Sequence, residues 1–261
     1  LVPSLRGTCS HSASPLGEEF IVNPAAEDYM LNELLTYGYA DLASAFPNEN
    51  QRVVSADFFV RALNHPEIQG KKSLYISNTA IVGYLDASAS NLPYTLFLNV
   101  VVFTDEVFFS DSNFTSVTIL ASSFHRGVEF QNIDADNIDL RNCIFSHGIN
   151  LYGAQIGELT VVDSQILGTE PMREGITYPS EFRQMNISSI AYFSGNYFEG
   201  LAVFDESEFR TLLMQGTQFA GDADFIKVVI ARSADFAGTQ FMGNANFDQI
   251  NFGNATFEGS S

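Results

Sequence analysis

From about Leu74 onward, large apolar residues recur at a spacing that belongs to neither a helix nor an ordinary strand. They fall at Ile76, Ile81, Ala87, Leu92, Leu98, Phe103, Phe109, Phe114, Ile119 and Phe124, and continue through Phe130, Ala135, Leu140, Phe145, Leu151, Ile156, Val161 and Ile166. The step is five, with a six inserted at intervals, whereas a helix repeats every 3.6 residues and a strand every 2.0. A fixed step of this kind is the mark of a repeat architecture. Two residues before each centre stands a smaller or branched residue, among them Val101, Val107, Ser112, Val117, Ser122, Val128 and Cys143. The pair therefore points inward and the intervening residues outward. Phe109, Phe130 and Leu151 are 21 residues apart, as are Phe204 and Phe225. That sum of three fives and one six implies four short faces closing one coil.

The pattern divides the chain. Residues 26–73 carry the helical text: Met30, Leu31, Leu34 and Leu35 share one face of a helix with Glu27 and Asp28 in its first turn, where the helix dipole favours acids. A second short helix is expected from Ser55 to Leu63, stopped by Pro66. This segment reads as a helical cap on the coils. Residues 1–25 read as a flexible or processed arm, either the tail of a trimmed signal segment or a simple N-terminal extension. Within residues 74–261 the register breaks between Leu167 and Met185, a stretch with Gly168, Pro171, Gly175 and Pro179, and resumes at Phe193, Phe198 and Phe204, running to Phe257. The break reads as a loop thrown out from one corner of the coil, either functional or a tolerated insertion.

The text Ala-Asp-Phe-Ala-Gly-Thr-Gln-Phe-Met-Gly-Asn-Ala-Asn-Phe over residues 234–247, and Ala-Thr-Phe-Glu-Gly over residues 255–259, resembles the pentapeptide-repeat family. The resemblance covers about residues 74–261. It implies a mainly β fold, a right-handed quadrilateral parallel β-helix, here with a short N-terminal helical cap. Stacking at roughly 4.8 Å per coil would make about eight coils a rod roughly 35 to 40 Å long. The resemblance also supplies one functional reading, because some members are acidic dimeric rods that mimic duplex DNA and inhibit a type II topoisomerase.

Charge and composition narrow the partners. The 261 residues hold 12 Lys plus Arg against 31 Asp plus Glu, a formal charge of -19, which argues against nucleic acid as a partner. No apolar run approaches the roughly 18 residues a spanning helix needs, so membrane insertion is not expected. Two cysteines, Cys9 and Cys143, can form a disulfide in an oxidising compartment, but the register points Cys143 into the core and favours a buried thiol. Asn113, Asn186 and Asn254 head acceptor tripeptides for glycosylation. The expected location is extracellular or at a cell surface, with the cytoplasm as the alternative.

The chain carries no recognisable catalytic motif: no nucleophile elbow, phosphate loop, Cys-x-x-Cys or His-Glu-x-x-His, and no Ser, His and acid that the register brings together. One coil displacement carries His125 beside His147, without a clear third ligand, so no metal and no cofactor is expected. Asp134, Asp136, Asp222 and Asp224 follow the coil rather than a site, and register places Asp105 near Arg126 and Glu206 near Lys227. The features that suggest a role are apolar. Phe97, Phe108, Tyr192 and Tyr197 sit one residue before a centre, facing outward, as candidates for a partner surface. Phe247, Phe252 and Phe257 belong to the last coil, which nothing covers, and are candidates for self-association. The expected function is that of a non-enzymatic structural or interaction protein, a rigid rod assembling with itself or a protein partner through its C-terminal end, as a dimer or as an extracellular filament. A carbohydrate-binding or enzymatic role would require carboxylates clustered in a groove beside residues 167–185.

Overall fold

The computed structural model describes residues 20–168 and 179–261. Most of the N-terminal arm, with Cys9 and His11, and residues 169–178 of the break lie outside the described residues.

The five-residue register closes into a parallel β-solenoid of about eight turns. Face 1 is an eight-stranded parallel sheet whose strands run from Leu85–Asp86 to Ala245–Asn246. Faces 2 and 3 share longer strands, such as Asn113–Leu120 and Asp134–Arg141, and face 4 is made of pairs such as Ser123–Phe124. Consecutive coils pair in register, Ala135 with Phe114 and Ile156, and Leu140 with Ile119 and Val161. The centres read from the sequence are the residues that fill the interior, from Ile76 to Phe236, nearly all of them fully buried.

Ring stacking follows directly from this register. A residue and its counterpart one coil on are separated by the strand spacing, so aromatic centres in one column lie face to face. Phe182, Phe204 and Phe225 on face 1 stack with centroids 4.7 and 4.8 Å apart, and Phe103, Phe124 and Phe145 on face 4 at 4.6 and 5.0 Å. Across the interior the rings meet edge to face, Phe193 against Phe204 at 87°. Both geometries are favoured by the ring quadrupole.

The small residue before each centre has a second use. Ser112, Ser122, Ser164 and Ser207 are buried, yet each hydroxyl accepts from an amide of the preceding coil and donates to a carbonyl. Ser207 Oγ, for instance, accepts from Met185 N at 3.0 Å and donates to Phe182 O at 2.6 Å. Cys143 takes the same kind of position: it is a free, buried thiol donating to Ile119 O at 3.4 Å, and burial pushes its pKa up to about 12. It is therefore a core residue rather than a nucleophile.

Turning the coil requires left-handed backbone at two of the four corners. Two residues after the face 1 centre φ is positive at Asp111, Asn132 and Glu206, and two residues after the face 3 centre at Val100, Asn142 and Asp163. Gly, Asn and Asp accept this conformation cheaply, but Val100, at φ +55°, is β-branched and bears steric strain.

Three sequence expectations are revised. The cap is not purely helical: α1 (Pro24–Tyr37), α2 (Leu42–Ala45), α3 (Ala56–Leu63) and α4 (Pro66–Gln69) alternate with strands Tyr39–Asp41 and Val53–Ser55, which pair with Ser73–Val82 and begin the first coil. The first helix starts at Pro24, two residues earlier than expected, because Asn23 caps it and accepts from Ala25 N. The break is also shorter than 167–185. Leu167 N still donates to Phe145 O, and Phe182, Met185 and Ile187 are buried centres or inner partners. From Ile166 to Phe182 is 16 residues against six from Phe145 to Leu151, so ten residues are inserted before the coil resumes.

The cap is fastened by polar contacts with long sequence separation. Glu27 accepts from Ser55 N at 2.9 Å and Ser55 Oγ at 2.7 Å, and that hydroxyl in turn caps α3 at Phe58 N. Tyr94, fully buried, donates to Leu63 O at 2.9 Å and ties α3 to the coils.

Two outcomes are expected from this packing. Phe204→Ala, which removes a ring stacked on both sides, should cost about 3 to 5 kcal/mol in denaturant unfolding. Val100→Asn should stabilise the fold by about 1 kcal/mol in the same measurement, by relieving strain at a left-handed position.

Candidate functional site

Among the described residues, two features stand out that the packing does not consume: the outer side of the last described coil and a groove on face 1. At the open end Phe241, Phe247, Phe252 and Phe257 occupy the inward position of the four faces. Each has a ring or core neighbour below it, Phe257 on Phe236 at 4.9 Å and Phe247 on Phe225 at 5.0 Å. Above them no further coil is described, so the first three are half-buried and Phe257 is 41% exposed. The strands Ala245–Asn246 and Asn251–Thr256 pair with the coil before and stand at the edge. Between Ala237 and Ser261 the only charged side chains are Asp248 and Glu258.

The groove arises from the corner that leads into face 1. In successive coils the corner residue is Tyr84, Glu106, Gly127, Gly148 and Pro179, one before the paired Leu85, Val107, Val128, Ile149 and Ser180. The two glycines remove side chains from consecutive coils and open a hollow of about 420 Å³. The outward column beside it runs Asp86, Phe108, Glu129, Asn150, Glu181 in register. Tyr84, Glu106, Phe108, Glu129, His147, Asn150, Pro179 and Glu181 line the hollow with the two glycines, Val128 and Ile149. Tyr84 and Phe108 meet with centroids 4.9 Å apart at 32°. Asn150 donates to Glu129 Oε2 at 2.5 Å. Burial holds the Glu129 carboxyl above the usual carboxylate range, the Asn150 hydrogen bond opposes the shift, and the neighbouring Glu181 adds to it.

The outward aromatics singled out in the sequence are not brought together. Phe97 and Tyr192 share the outward column of face 3, separated by Thr118, Asp139 and Thr160. Phe97 is the last ring of a stack with Tyr39 and Tyr75, each step 4.9 Å. Phe108 lines the groove, and Tyr197 stands on face 4 between Gln165 and Gln218. Asn113 and Asn186 lie exposed in one column of face 2, and Asn254 is exposed in the last long strand.

Of the expected charge pairs, Lys227 reaches Glu206 at 3.2 Å, both exposed. Asp105 instead accepts from Gly83 N at 3.1 Å. Burial lowers the pKa of His125, against the attraction of Asp105. Among the described residues no group of three or more His, Cys, Asp and Glu is placed to hold a metal ion, and no helix is long and apolar enough to cross a membrane.

The columns, four faces and inward pairs are those of a known repeat. The family described as pentapeptide repeats (9 copies) matches residues 215–261. The chain carries pentapeptide repeats over these residues. Its more degenerate coils, from Ile76 to Phe209, keep the pentapeptide-repeat register while replacing the central Phe or Leu by Ala, Ile or Val. No curated protein and no solved structure matches the chain.

The raised pKa of Glu129 has a defined effect on stability. A carboxyl whose folded pKa exceeds its unfolded value binds its proton more tightly when folded. Its stabilising contribution is therefore complete below the ordinary value of 4.5 and lost as pH rises through the folded pKa. Glu129→Gln should match the parent chain in thermal midpoint at about pH 4 and exceed it at about pH 8; a parallel pair of pH profiles would contradict the assignment.

Proposed function

We propose that this protein is a non-enzymatic structural and interaction protein that pairs with a second copy through the open end of its last coil. The observation that carries the reading is the set of four phenylalanines, Phe241, Phe247, Phe252 and Phe257, in core positions yet only half-buried or, for Phe257, exposed. Parallel strand edges beside them leave backbone groups available for another edge, and few charges oppose close approach. The opposite end favours a two-fold pair over a head-to-tail filament. There α1, α3 and α4 bury Met30, Leu34, Phe59, Leu63 and Ile68 over the first coil, so that end has no bare core to offer. Tail-to-tail pairing closes the assembly at two copies.

The DNA-mimic reading draws on the charge of -19. On face 1, however, acids occupy alternate coils at Asp86, Glu129, Glu181 and Asp224, with Phe108, Asn150 and Val203 between them. Two coils are roughly 9.6 Å at the usual strand spacing. A DNA strand carries a phosphate for about every 3.4 Å of axis, so this column is a poor copy of it.

Light scattering tests the pairing. The parent chain is expected at twice its 28.7 kDa. Phe252→Asp and Phe257→Asp should each weaken association about thirtyfold or more, with circular dichroism confirming the fold, while Tyr192→Asp leaves it intact. A monomeric parent, a dimer that survives both substitutions, or a longer native chain that covers this end with its own next coil would each overturn the proposal.

A further inference from the structure

Two of the acceptor tripeptides lie on face 2, and the nearer, at Asn186, is three rungs from Asn251 in the last described coil. They stand or fall independently of the pairing just described. We propose that Asn113 and Asn186 are N-glycosylation sites, modified in a secretory compartment, and that face 2 is the sugar-bearing side of the rod.

The backbone sets the geometry. Asn113-Phe114-Thr115 opens the strand Asn113–Leu120, and Asn186-Ile187-Ser188 opens the strand Asn186–Tyr192. Alternate residues of a strand share a face. Phe114 and Ile187 therefore enter the core, while the asparagine and the hydroxyl residue of each tripeptide are exposed together. The third tripeptide lacks this alternation, since Asn254, Ala255 and Thr256 are all exposed, and it is not part of the proposal. Asn113 pairs with Asp134, Asp134 with Gln155 and Gln155 with Asn186. The two sites are thus three rungs apart, roughly 14 Å along the axis, so a glycan on one leaves the other reachable.

The fold makes no use of these two amides. At several other outward positions an asparagine bonds to the neighbouring rung: Asn132 donates to Asp111 Oδ1 at 3.1 Å, Asn137 to Ser116 Oγ at 3.2 Å and Asn244 to Asp222 Oδ1 at 3.1 Å. Asn113 stands between Asn91 and Asp134, and Asn186 between Gln155 and Glu208, so each has acceptor oxygens one rung away. Among the described residues neither amide takes one. Each nitrogen can therefore carry a bulky substituent into solvent at no cost in packing or hydrogen bonding. The donor is a lipid-linked pyrophosphate oligosaccharide, and the catalyst an oligosaccharyl transferase that recognises the hydroxyl two residues on. The amide nitrogen bonds to the anomeric carbon of the first sugar and gives up one proton. The bond from that carbon to the pyrophosphate oxygen breaks, and the lipid pyrophosphate leaves. In the finished coils both strands are paired on either side, so transfer precedes coil closure and the fold then turns the glycan outward.

Folded protein purified from its own source tests the assignment: it is treated with peptide-N-glycosidase in heavy-oxygen water, and its peptides are mapped by mass spectrometry. Asn113 and Asn186 are expected as labelled aspartate without prior denaturation, while Asn132 and Asn137 stay unlabelled. Thr115→Ala and Ser188→Ala, expressed in the same cells, should each abolish the label on the asparagine two residues before and leave the other site unchanged. Both substitutions are exposed, and thermal unfolding should show a parent-like fold. Absence of label at either asparagine would overturn the proposal. Label that appears only after denaturation would contradict an outward site, and label that survives Thr115→Ala and Ser188→Ala would reduce the signal to spontaneous hydrolysis of exposed amides; each result equally overturns it.

Discussion

The structure depends on the hydrogen-bonded spacing between parallel strands. Once coils are fixed at that distance, every residue sits directly above its counterpart in the coil before, and each interaction is repeated rather than invented anew. Rings stack because Phe182, Phe204 and Phe225 share a column. Serine hydroxyls bridge coils because Ser112, Ser122, Ser164 and Ser207 stand where an amide of the preceding coil is in reach. The same constraint explains why the interior tolerates Ala135, Ile156 or Met214 at central positions. A small residue is accommodated when its neighbours in the same column are large, as Ala135 lies between Phe114 and Ile156.

This regularity made most of the fold legible in the sequence. The step of five identifies inward residues one by one, and the 21-residue sum fixes which lie in register. What escaped has physical causes. The inserted ten residues hide Phe182 and Ile187, because their Gly- and Pro-containing text interrupts the run of apolar centres although two steps of five keep the count in phase. Strands Tyr39–Asp41 and Val53–Ser55 are too short to show any alternation, and they form because Ser73–Val82 offers an edge. The left-handed corners were also silent, since Val100, Glu206 and Lys227 carry no turn signature and adopt positive φ only because the coil must close.

The groove was legible only in part. Its carboxylates are individually ordinary, and nothing in a linear reading connects Glu106, Glu129 and Glu181. Writing the chain in rows of one coil would have placed Gly127 above Gly148 and Phe108 above Glu129, and the missing side chains would then have stood out against the filled positions around them. The outward aromatics illustrate the reverse error: Phe97, Phe108, Tyr192 and Tyr197 occupy equivalent places in their pentapeptides but lie on three different faces. Equivalence within a repeat is not proximity in space.

The helical cap gives the rod a direction. Each coil touches only the one before and the one after it, so order spreads along the axis from wherever it is best anchored. Glu27, Ser55 and Tyr94 fasten the first coils to α1 and α3, whereas Asn251–Thr256 is held by pairing with Val229–Asp235. Opening is therefore resisted most strongly beside the cap, and a coil farther along is steadied by what packs on its far side. Whatever packs on the coil that holds Phe257 lengthens the lifetime of every coil behind it, and occupancy there is transmitted along the axis without any change of shape.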